Sequence, residues 1–287
     1  MVPGLQKRKT RSITPFVLLL LIPIIFSGCK SGTPKGGDLP AVRENISLIL
    51  DTYANNEIDD QHAIAYMLFN NEYFDIKGLT VNETWSGGSI NSHIEEAKRI
   101  VKLCGYENSV EVIEGASDDY HEVIDSIGKP DYDGKKAVDF IVKTAREERD
   151  QKLVLVAIGK LTNISLALEK APDISKKIRL VWLGSNWPAG GEYNLENDTS
   201  ALAPLLHNDD LEFEILTVRY GEPSGTDAVS LSVEEVQRNM KGLGPVVEPV
   251  EGRHGGAFTC FGRFLLSLFR FATLHFTKRE EKPSTTW

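Results

Sequence analysis

Short apolar runs rich in β-branched residues alternate along this chain with longer segments in which apolar positions recur three or four residues apart. The short runs predict six strands, at residues 46–51, 75–81, 110–114, 152–158, 178–183 and 212–218. The longer segments predict helices at residues 60–70, 89–104, 134–146, 162–170 and 198–206. In the second of these helices, Ile90, Ile94, Ala97 and Val101 share one apolar face.

This alternation predicts an α/β fold with an open, mostly parallel sheet and helices on both faces, as in Rossmann-like proteins. Neighbouring parallel strands need a crossover connection, which is usually a helix. Ligands bind to such sheets beyond the carboxyl ends of the strands. We therefore expect the functional residues in the loops that follow Asp51, Val81, Ile158 and Leu183.

The first 28 residues are typical of a signal peptide rather than of a folded segment. Four basic residues precede an apolar run from Phe16 to Phe26, and a Ser-Gly pair separates that run from Cys29. A run of this length is too short to span a hydrocarbon layer of about 30 Å. The segment Phe26-Ser27-Gly28-Cys29 resembles the lipobox of bacterial lipoproteins, in which the cysteine is lipidated.

That resemblance implies an exported protein that is lipid-anchored through Cys29 to a bacterial membrane, on the periplasmic side or at the cell surface. Residues 29–44, rich in Gly, Ser and Pro, then form a flexible linker. The α/β domain is expected over residues 45–262, and residues 263–287 form an atypical tail. The tail is either a buried last helix followed by charged residues or the mark of a truncated chain.

Charge and cysteine content exclude several classes of function. The 41 acidic and 32 basic residues give a net charge of −9, which argues against nucleic acid as a partner because such binding depends on Lys and Arg. The three cysteines show no CxxC or CxxH spacing that would indicate zinc. We expect Cys104 and Cys260, which lies in a Gly-rich loop, to be free thiols.

The most informative segment is the polar loop at residues 51–62, where the first strand passes into the first helix. Asp59 alone could cap this helix. Two adjacent aspartates, Asp59 and Asp60, facing a third at Asp51 would repel one another unless a cation lay between them. Hard oxygen ligands of this kind suit Ca²⁺ or Mg²⁺.

The loop resembles the first motif of the nucleoside hydrolases, the inosine–uridine-preferring N-ribohydrolases, which reads Asp-x-Asp-Pro-Gly-x-Asp-Asp. Asp51, Asp59 and Asp60 match it. Further similarity lies in the strand end Gly78-Leu79-Thr80-Val81-Asn82, in the turn Gly159-Lys160-Leu161-Thr162-Asn163 and in the segment Glu192-Tyr193-Asn194. Each could instead be an ordinary strand end, helix cap or solvated loop, but their order and spacing favour the family.

The resemblance implies a nucleoside-hydrolase-like fold and Ca²⁺-dependent cleavage of the N-glycosidic bond of ribonucleosides. It implies that Asp51, Asp60 and the Thr162 carbonyl bind the metal. Asn82, Glu192 and Asn194 would then bind the sugar, and Asp59 would lie beside it as a catalytic residue. The partner is a small nucleoside or related glycosyl compound, and a homo-oligomer is a further expectation.

Two departures from the family pattern bear on activity. Tyr53 stands where the family has the aspartate that serves as base, and the loop is two residues longer. A late calcium-binding aspartate is not found in the sequence. His254 is a candidate acid for the departing base, and Asp227 could also compensate, although either could have an ordinary surface role.

The sequence thus predicts a hydrolase that acts on N-glycosyl compounds, with impaired turnover. The alternative is a lipid-anchored nucleoside- or sugar-binding protein of the same fold without catalysis. An aspartate-nucleophile phosphatase is disfavoured, because Asp51-Thr52-Tyr53 lacks the Asp-x-Asp pattern.

Overall fold

A computed structural model describes residues 45–219, except Glu57 and Ala189, and the shorter stretches 224–228, 232, 234–235, 238, 246–251 and 257–260. The chain divides into two compact units, residues 1–42 and 43–287, and the first lies outside the described residues. The signal peptide, lipidation and linker predictions therefore fall outside the described part, as does the tail at 263–287. In the described part, no helix combines the length and apolar character that a membrane span requires.

Six strands form one parallel sheet, and all six were predicted from the sequence. They are β1 (Ile46–Thr52), β2 (Phe74–Val81), β3 (Val112–Glu114), β4 (Leu153–Ala157), β5 (Ile178–Leu183) and β6 (Glu212–Leu216). Their order across the sheet is β3-β2-β1-β4-β5-β6, which is the doubly wound order with β1 in the middle. The predicted α/β fold class is thereby confirmed.

Seven helices connect or flank the strands in the described part. They are α1 (Ile58–Phe69), α2 (Ile90–Leu103), α3 (Tyr120–Val123), α4 (Lys135–Arg146), α5 (Thr162–Lys170), α6 (Tyr193–Asn197) and α7 (Leu202–Leu206). The first, second, fourth and fifth lie within two residues of the predicted bounds. An antiparallel pair, β7 (Val246–Glu251) and β8 (Ala257–Cys260), follows later in the chain.

Helices cover both faces of the sheet, as the strand sequences require. On β1, Leu48 and Leu50 pack into one apolar cluster with residues of α1 and α2. Ile49 points the other way into a second cluster with residues of α4 and α5. A strand with apolar residues on both faces is buried on both sides, which is expected of the central strand of a parallel sheet.

The prediction of one helix at residues 198–206 was wrong. In this range the structure has a 3₁₀ turn at Thr199–Ala201 and then α7, and it has α6 before the range, where no helix was predicted. Asp198 lies between α6 and the 3₁₀ turn and caps the turn, because its carboxylate accepts hydrogen bonds from the backbone N–H groups of Ser200 and Ala201.

The two later cysteines differ from the prediction in one respect. Cys260 is the last residue of strand β8, whereas the sequence predicts a Gly-rich loop there. Cys104 is a free thiol just after α2, as predicted. Burial raises the pKa of this thiol to about 11, so that its reactive thiolate form is rare at neutral pH.

Candidate active site

Asp51 lies at the end of β1 and is almost completely buried. Its Oδ2 accepts hydrogen bonds from Thr80 Oγ1 at 2.6 Å and from Asn163 Nδ2 at 2.9 Å, and its Oδ1 accepts one from Asn82 Nδ2. Three neutral donors from β2, its following loop and α5 thus surround one carboxylate. Burial raises the pKa of Asp51 to about 6, although these hydrogen bonds and the Lys160 charge oppose the shift.

Asp60, in the first turn of α1, is also buried and is linked to the end of β1. Its Oδ1 accepts a hydrogen bond of 2.5 Å from Thr52 Oγ1 and a longer one of 3.4 Å from the Tyr53 backbone N–H. Its neighbour Asp59 is exposed. The adjacent aspartates of the motif are therefore in different environments, one inside the protein and one at its surface.

Tyr53 is 3% exposed and takes the position that the family resemblance gives to a carboxylate. Its hydroxyl donates a hydrogen bond of 2.6 Å to Asn194 Oδ1. Its ring lies 5.8 Å from that of Tyr193, and Gly159 leaves room for it, since a Cβ there would come within 2.5 Å of the ring. The phenol is therefore packed into the site rather than turned towards solvent.

The predicted sugar-binding residues converge on the same edge of the sheet. Asn82 is completely buried, and its Oδ1 has no hydrogen-bond partner among the described residues. Asn194, on α6, donates to the carbonyls of Ile158 and Leu183 at 3.1 and 2.8 Å, which fixes it above the ends of β4 and β5. Both amides thus lie beyond strand ends, as the sequence predicts.

The Glu192 side chain caps the start of α6. It precedes α6, and its carboxylate accepts hydrogen bonds from the backbone N–H groups of Ser185, Asn194 and Leu195 at 2.8 to 3.1 Å. Burial raises the pKa of this carboxyl, although the three hydrogen bonds oppose the shift. Glu192 therefore sets the position of Asn194.

Thr162 begins α5, and its hydroxyl donates a 2.5 Å hydrogen bond to Asp198 Oδ2. The Tyr120 backbone N–H donates to the same oxygen at 2.7 Å. The other oxygen of Asp198 accepts from Ser200 Oγ and from two backbone N–H groups. Asp198 thus joins the starts of three short segments around the site.

The predicted calcium ligands that the structure describes do not by themselves complete the coordination sphere of a calcium ion. Calcium takes six to eight oxygen ligands. Both oxygens of Asp51 already accept hydrogen bonds from side chains, and Tyr53 supplies a phenol that donates to Asn194 where a carboxylate is expected. Asp60 is the remaining buried carboxylate of the motif.

One group of three potential metal ligands occurs among the described residues. Ligand atoms of Asp119, His121 and Asp198 all lie within 4.8 Å of one another. Both oxygens of Asp198 are already used, however, and Asp119 accepts a hydrogen bond of 3.2 Å from the buried ammonium of Lys160. A cation at this group would compete with that ammonium, so we assign no metal to it.

Sequence reasoning missed two residues that shape the site. Asn163 supplies one of the three donors to Asp51, and Lys160, 2% exposed, donates to the carbonyls of Ser117 and Asp118. Both belong to the turn at residues 159–163, from which only Thr162 was assigned. The sequence feature that could have indicated them is the presence of a lysine and an asparagine inside a largely apolar stretch.

One cavity lies away from this site, and two candidate residues named from the sequence are not placed in it. A surface cavity of about 480 Å³ lies at the edge of the sheet between α2, β3 and α4. His254 lies outside the described residues, and Asp227 is described only by its backbone, in a 3₁₀ turn at Gly225–Ala228.

A comparison with sequence models of protein families identifies the family of this chain. The sequence model of the inosine-uridine preferring nucleoside hydrolases matches residues 48–282. The chain belongs to this nucleoside hydrolase family. Its members are hydrolases that act on N-glycosyl compounds.

Individual proteins resemble short parts of the chain. It is 38% identical over 71 residues to the pyrimidine-specific ribonucleoside hydrolase RihA of Enterobacter sp., which is 23% of this chain and 22% of that protein. It is 35% identical over 78 residues to an uncharacterized protein of Schizosaccharomyces pombe, or 24% and 25% of the two chains. These alignments therefore span about a quarter of each curated relative.

The fold comparison is consistent with the family. The crystal structure of the inosine-uridine preferring nucleoside hydrolase from Bacillus anthracis matches 66% of this chain and 68% of its own, with a TM-score of 0.50 and 20% sequence identity. At this level of identity the similarity shows the nucleoside hydrolase fold alone.

Proposed function

We propose that this chain hydrolyses the N-glycosidic bond of ribonucleosides and releases a base and ribose. The observation that carries the proposal is the convergence of Asp51, Asn82 and Asn194 at the carboxyl ends of the central strands, in a chain of the nucleoside hydrolase family. The alternative of a binding protein without catalysis has no observation of its own in its favour.

The chemistry of glycosidic cleavage explains why amides and carboxylates suit this task. The sugar passes through an oxocarbenium-like state, which negative charge beside the ring stabilises. Asp60 is a buried carboxyl group of the site, and the Asn82 Oδ1 is available for a hydrogen bond from a sugar hydroxyl. We assign Asp59, as an exposed carboxylate in the same turn, to accept the proton of the attacking water. His254 stays the predicted acid for the departing base.

We further propose that turnover is slow, because Tyr53 replaces the family's base. A phenol with an ordinary pKa of about 10 is a weak base at neutral pH. The Tyr53 hydroxyl also donates to Asn194, so it is engaged in the site. Calcium, when bound, would orient a water and lower its pKa. Asp51, Asp60 and the Thr162 carbonyl are the predicted ligands, and calcium dependence stays a prediction that the comparison of calcium with chelator tests.

The test measures free base released from inosine and uridine by the purified full chain in detergent, in calcium and in chelator. Tyr53→Asp restores the family's carboxylate, and we expect it to raise turnover by about 10²- to 10⁴-fold, the usual contribution of a general base. Tyr53→Phe is the matched control and should not raise turnover. Fast release by the wild type would contradict the slow-turnover proposal, and no release by wild type or Tyr53→Asp would contradict the hydrolase proposal.

We also propose that the chain is exported and lipid-anchored through Cys29. The support is the sequence before Cys29, since no other observation bears on it. Labelled fatty acid should enter the wild-type chain and should not enter Cys29→Ser when both are expressed in bacteria. Equal labelling would contradict the anchor. A homo-oligomer stays a prediction.

A further inference from the structure

Asn194, a predicted sugar ligand, already has its hydrogen bonds within the protein. A side-chain amide offers two N–H donors and one oxygen acceptor. The Nδ2 group of Asn194 donates to the carbonyls of Ile158 and Leu183, and its Oδ1 accepts a bond of 2.6 Å from the Tyr53 hydroxyl. The residue is 4% exposed. The amide therefore has no donor left for a sugar oxygen, and its acceptor is paired without a sugar hydroxyl.

Glu192, the second predicted sugar ligand of this segment, is also paired by the protein. Its Oε1 accepts a hydrogen bond from the Asn194 backbone N–H, and its Oε2 accepts from the backbone N–H groups of Ser185 and Leu195. The residue is 7% exposed. Both oxygens of this carboxylate thus have partners that do not depend on a sugar.

Asn82 differs from these two residues. Its Nδ2 donates to Asp51 Oδ1 and, at 3.3 Å, to the Lys160 carbonyl. Its buried Oδ1 has no hydrogen-bond partner among the described residues. Of the three predicted sugar ligands, Asn82 is therefore the one that gains a missing partner from a sugar hydroxyl.

The pairing of a site's own polar groups decides whether the site rejects a substrate that lacks a hydroxyl. A site built to bond a hydroxyl rejects the analogue without it by about 10⁴- to 10⁵-fold, because a buried polar group is then left unpaired. In glycosidic cleavage, hydrogen bonds to the hydroxyl beside the reacting carbon strengthen in the transition state. A site whose groups are paired by the protein loses little when this hydroxyl is absent.

We propose that Tyr53 relaxes the sugar specificity of the site, so that 2′-deoxyribonucleosides are substrates as well as ribonucleosides. The Tyr53 hydroxyl pairs Asn194 Oδ1, which a 2′-hydroxyl would otherwise have to pair, and Asn82 Oδ1 serves a hydroxyl that both sugars carry. The inference rests on the proposed function and deepens it. The reaction is unchanged: water supplies a hydroxyl to C1′ and a proton to the base, the C1′–N bond breaks, and 2-deoxyribose is released.

The test gives the purified full chain an equal mixture of inosine and 2′-deoxyinosine, which carry the same base, and measures the ribose and 2-deoxyribose released. The ratio of the two rates is the ratio of kcat/KM, and it does not depend on how much of a variant is folded. We expect the wild type to favour inosine by less than about 100-fold, whereas a site that needs the hydroxyl favours it by about 10⁴-fold or more. Where release is too slow to time, the affinities for the two nucleosides are compared against the same limit.

Tyr53→Phe removes the phenol hydroxyl and leaves Asn194 Oδ1 to be paired by the sugar. Inosine can supply its 2′-hydroxyl and 2′-deoxyinosine cannot. The preference for inosine should therefore rise by about 5- to 150-fold over that of the wild type, through poorer use of 2′-deoxyinosine. An unchanged preference in Tyr53→Phe would refute the role of Tyr53.

Tyr193→Phe is the matched control, because it removes a neighbouring phenol hydroxyl that has different partners. The Tyr193 hydroxyl lies 2.6 Å from Ser86 Oγ. That serine belongs to a set of hydrogen bonds between the loops after β1 and β2, in which Ser86 Oγ donates to Asn56 Oδ1 at 3.1 Å and Asn55 Nδ2 donates to the Gly87 carbonyl at 2.6 Å. None of these bonds involves a predicted sugar ligand, so Tyr193→Phe should keep the wild-type preference.

The remaining outcomes separate this inference from the proposed function. A wild type that cleaves inosine and favours it over 2′-deoxyinosine by more than about 100-fold would overturn the relaxed specificity and leave the hydrolase proposal in place. An equal rise of the preference in Tyr53→Phe and Tyr193→Phe would contradict the specific role of Tyr53. A wild type that binds neither nucleoside and releases no base would refute the proposed function, and the relaxed specificity with it.

Discussion

Asp51 and Asp198 are buried carboxylates that neutral donors surround. Each is less than 4% exposed, and each receives hydrogen bonds from hydroxyl groups and from amide N–H groups of separate chain segments. A buried carboxylate held in this way organises its donors, because any donor that moves away leaves charge without a partner. The shape of the site thus depends on residues that need not touch a substrate.

Tyr53→Phe should destabilise the fold, because it removes the hydroxyl donor of Asn194 and leaves Oδ1 of that amide with one bond fewer. We expect a loss of about 1–2 kcal/mol in the free energy of unfolding, measured with urea. Tyr73→Phe, at a residue 42% exposed, is the control and should change little. Equal stability of wild type and Tyr53→Phe would show that this bond contributes nothing.

Lys160→Met should cost more, about 2–4 kcal/mol, because the buried ammonium holds two carbonyls and the Asp119 carboxylate. The loop at residues 117–119 should also become more accessible to proteases. Lys98→Met removes a surface ion pair instead and should stay within about 0.5 kcal/mol of the wild type. Similar unfolding curves for the two variants would refute the structural role of Lys160.

The sequence predicted that Asp51 and Asn82 lie together and missed how the surrounding residues are connected. Asp51 lies at the end of one strand and Asn82 follows the next, so the rule for parallel sheets was enough to place them together. The Tyr53–Asn194 hydrogen bond joins residues 141 positions apart, and no local pattern reports such a contact. The sequence also did not show that Glu192 caps α6. A helix of only five residues is too short to be recognised from its apolar pattern.

At the scale of elements, the ends of the strands pack too closely to accept added atoms. Gly115 follows β3, and a Cβ on it would lie 2.3 Å from the Val81 carbonyl oxygen and from Asn163 Nδ2. Asn163 also donates to Asp51 and accepts from the Ala116 N–H. The small residue after β3 therefore allows α5 to reach the central carboxylate.

Gly115→Ala should lower the free energy of unfolding by about 3 kcal/mol, because backbone atoms have to move to admit the methyl group. Gly128→Ala is the matched control, since nothing lies within 4 Å of its added Cβ and its φ is not in the left-handed region. Unfolding in urea compares the two. A stability loss in Gly128→Ala as large as that in Gly115→Ala would contradict the explanation by crowding.

The strands were predictable because apolar, β-branched runs of four to eight residues report burial on both faces. The division of residues 198–206 into a 3₁₀ turn and α7 was not predicted. This division depends on the Asp198 side chain, which binds the backbone N–H groups of Ser200 and Ala201. Hydrogen bonds from Tyr120 and Thr162 hold the Asp198 carboxylate in this position. Both residues are distant in the sequence, so the local pattern does not indicate these contacts.

At the scale of the whole molecule, pH acts on groups that folding buries. Burial lowers the pKa of His62 to about 4, well below its ordinary 6.5. The folded chain therefore binds fewer protons at this residue than the unfolded chain does, and stability is lost as pH falls from about 6.5 towards 4. Asp51 shifts in the opposite direction, so the total pH dependence combines terms of opposite sign.

A single substitution isolates the histidine contribution. Between pH 7.5 and pH 5, the free energy of unfolding should fall by about 2 kcal/mol less in His62→Gln than in the wild type. His207→Gln, at an exposed residue, should keep the wild-type dependence. An unchanged slope in His62→Gln, measured by urea unfolding at both pH values, would contradict the assignment.

The hydrogen bonds of Asn55 and Asn56 to residues 86 and 87 carry a consequence for protein engineering. Loop exchange between homologues usually treats each loop as an independent module. Here the first loop is hydrogen-bonded to the second, so grafting a shorter loop from a relative would remove the hydrogen bonds that hold Ser86 and Gly87. A chimera that exchanges either loop therefore has to transfer both together.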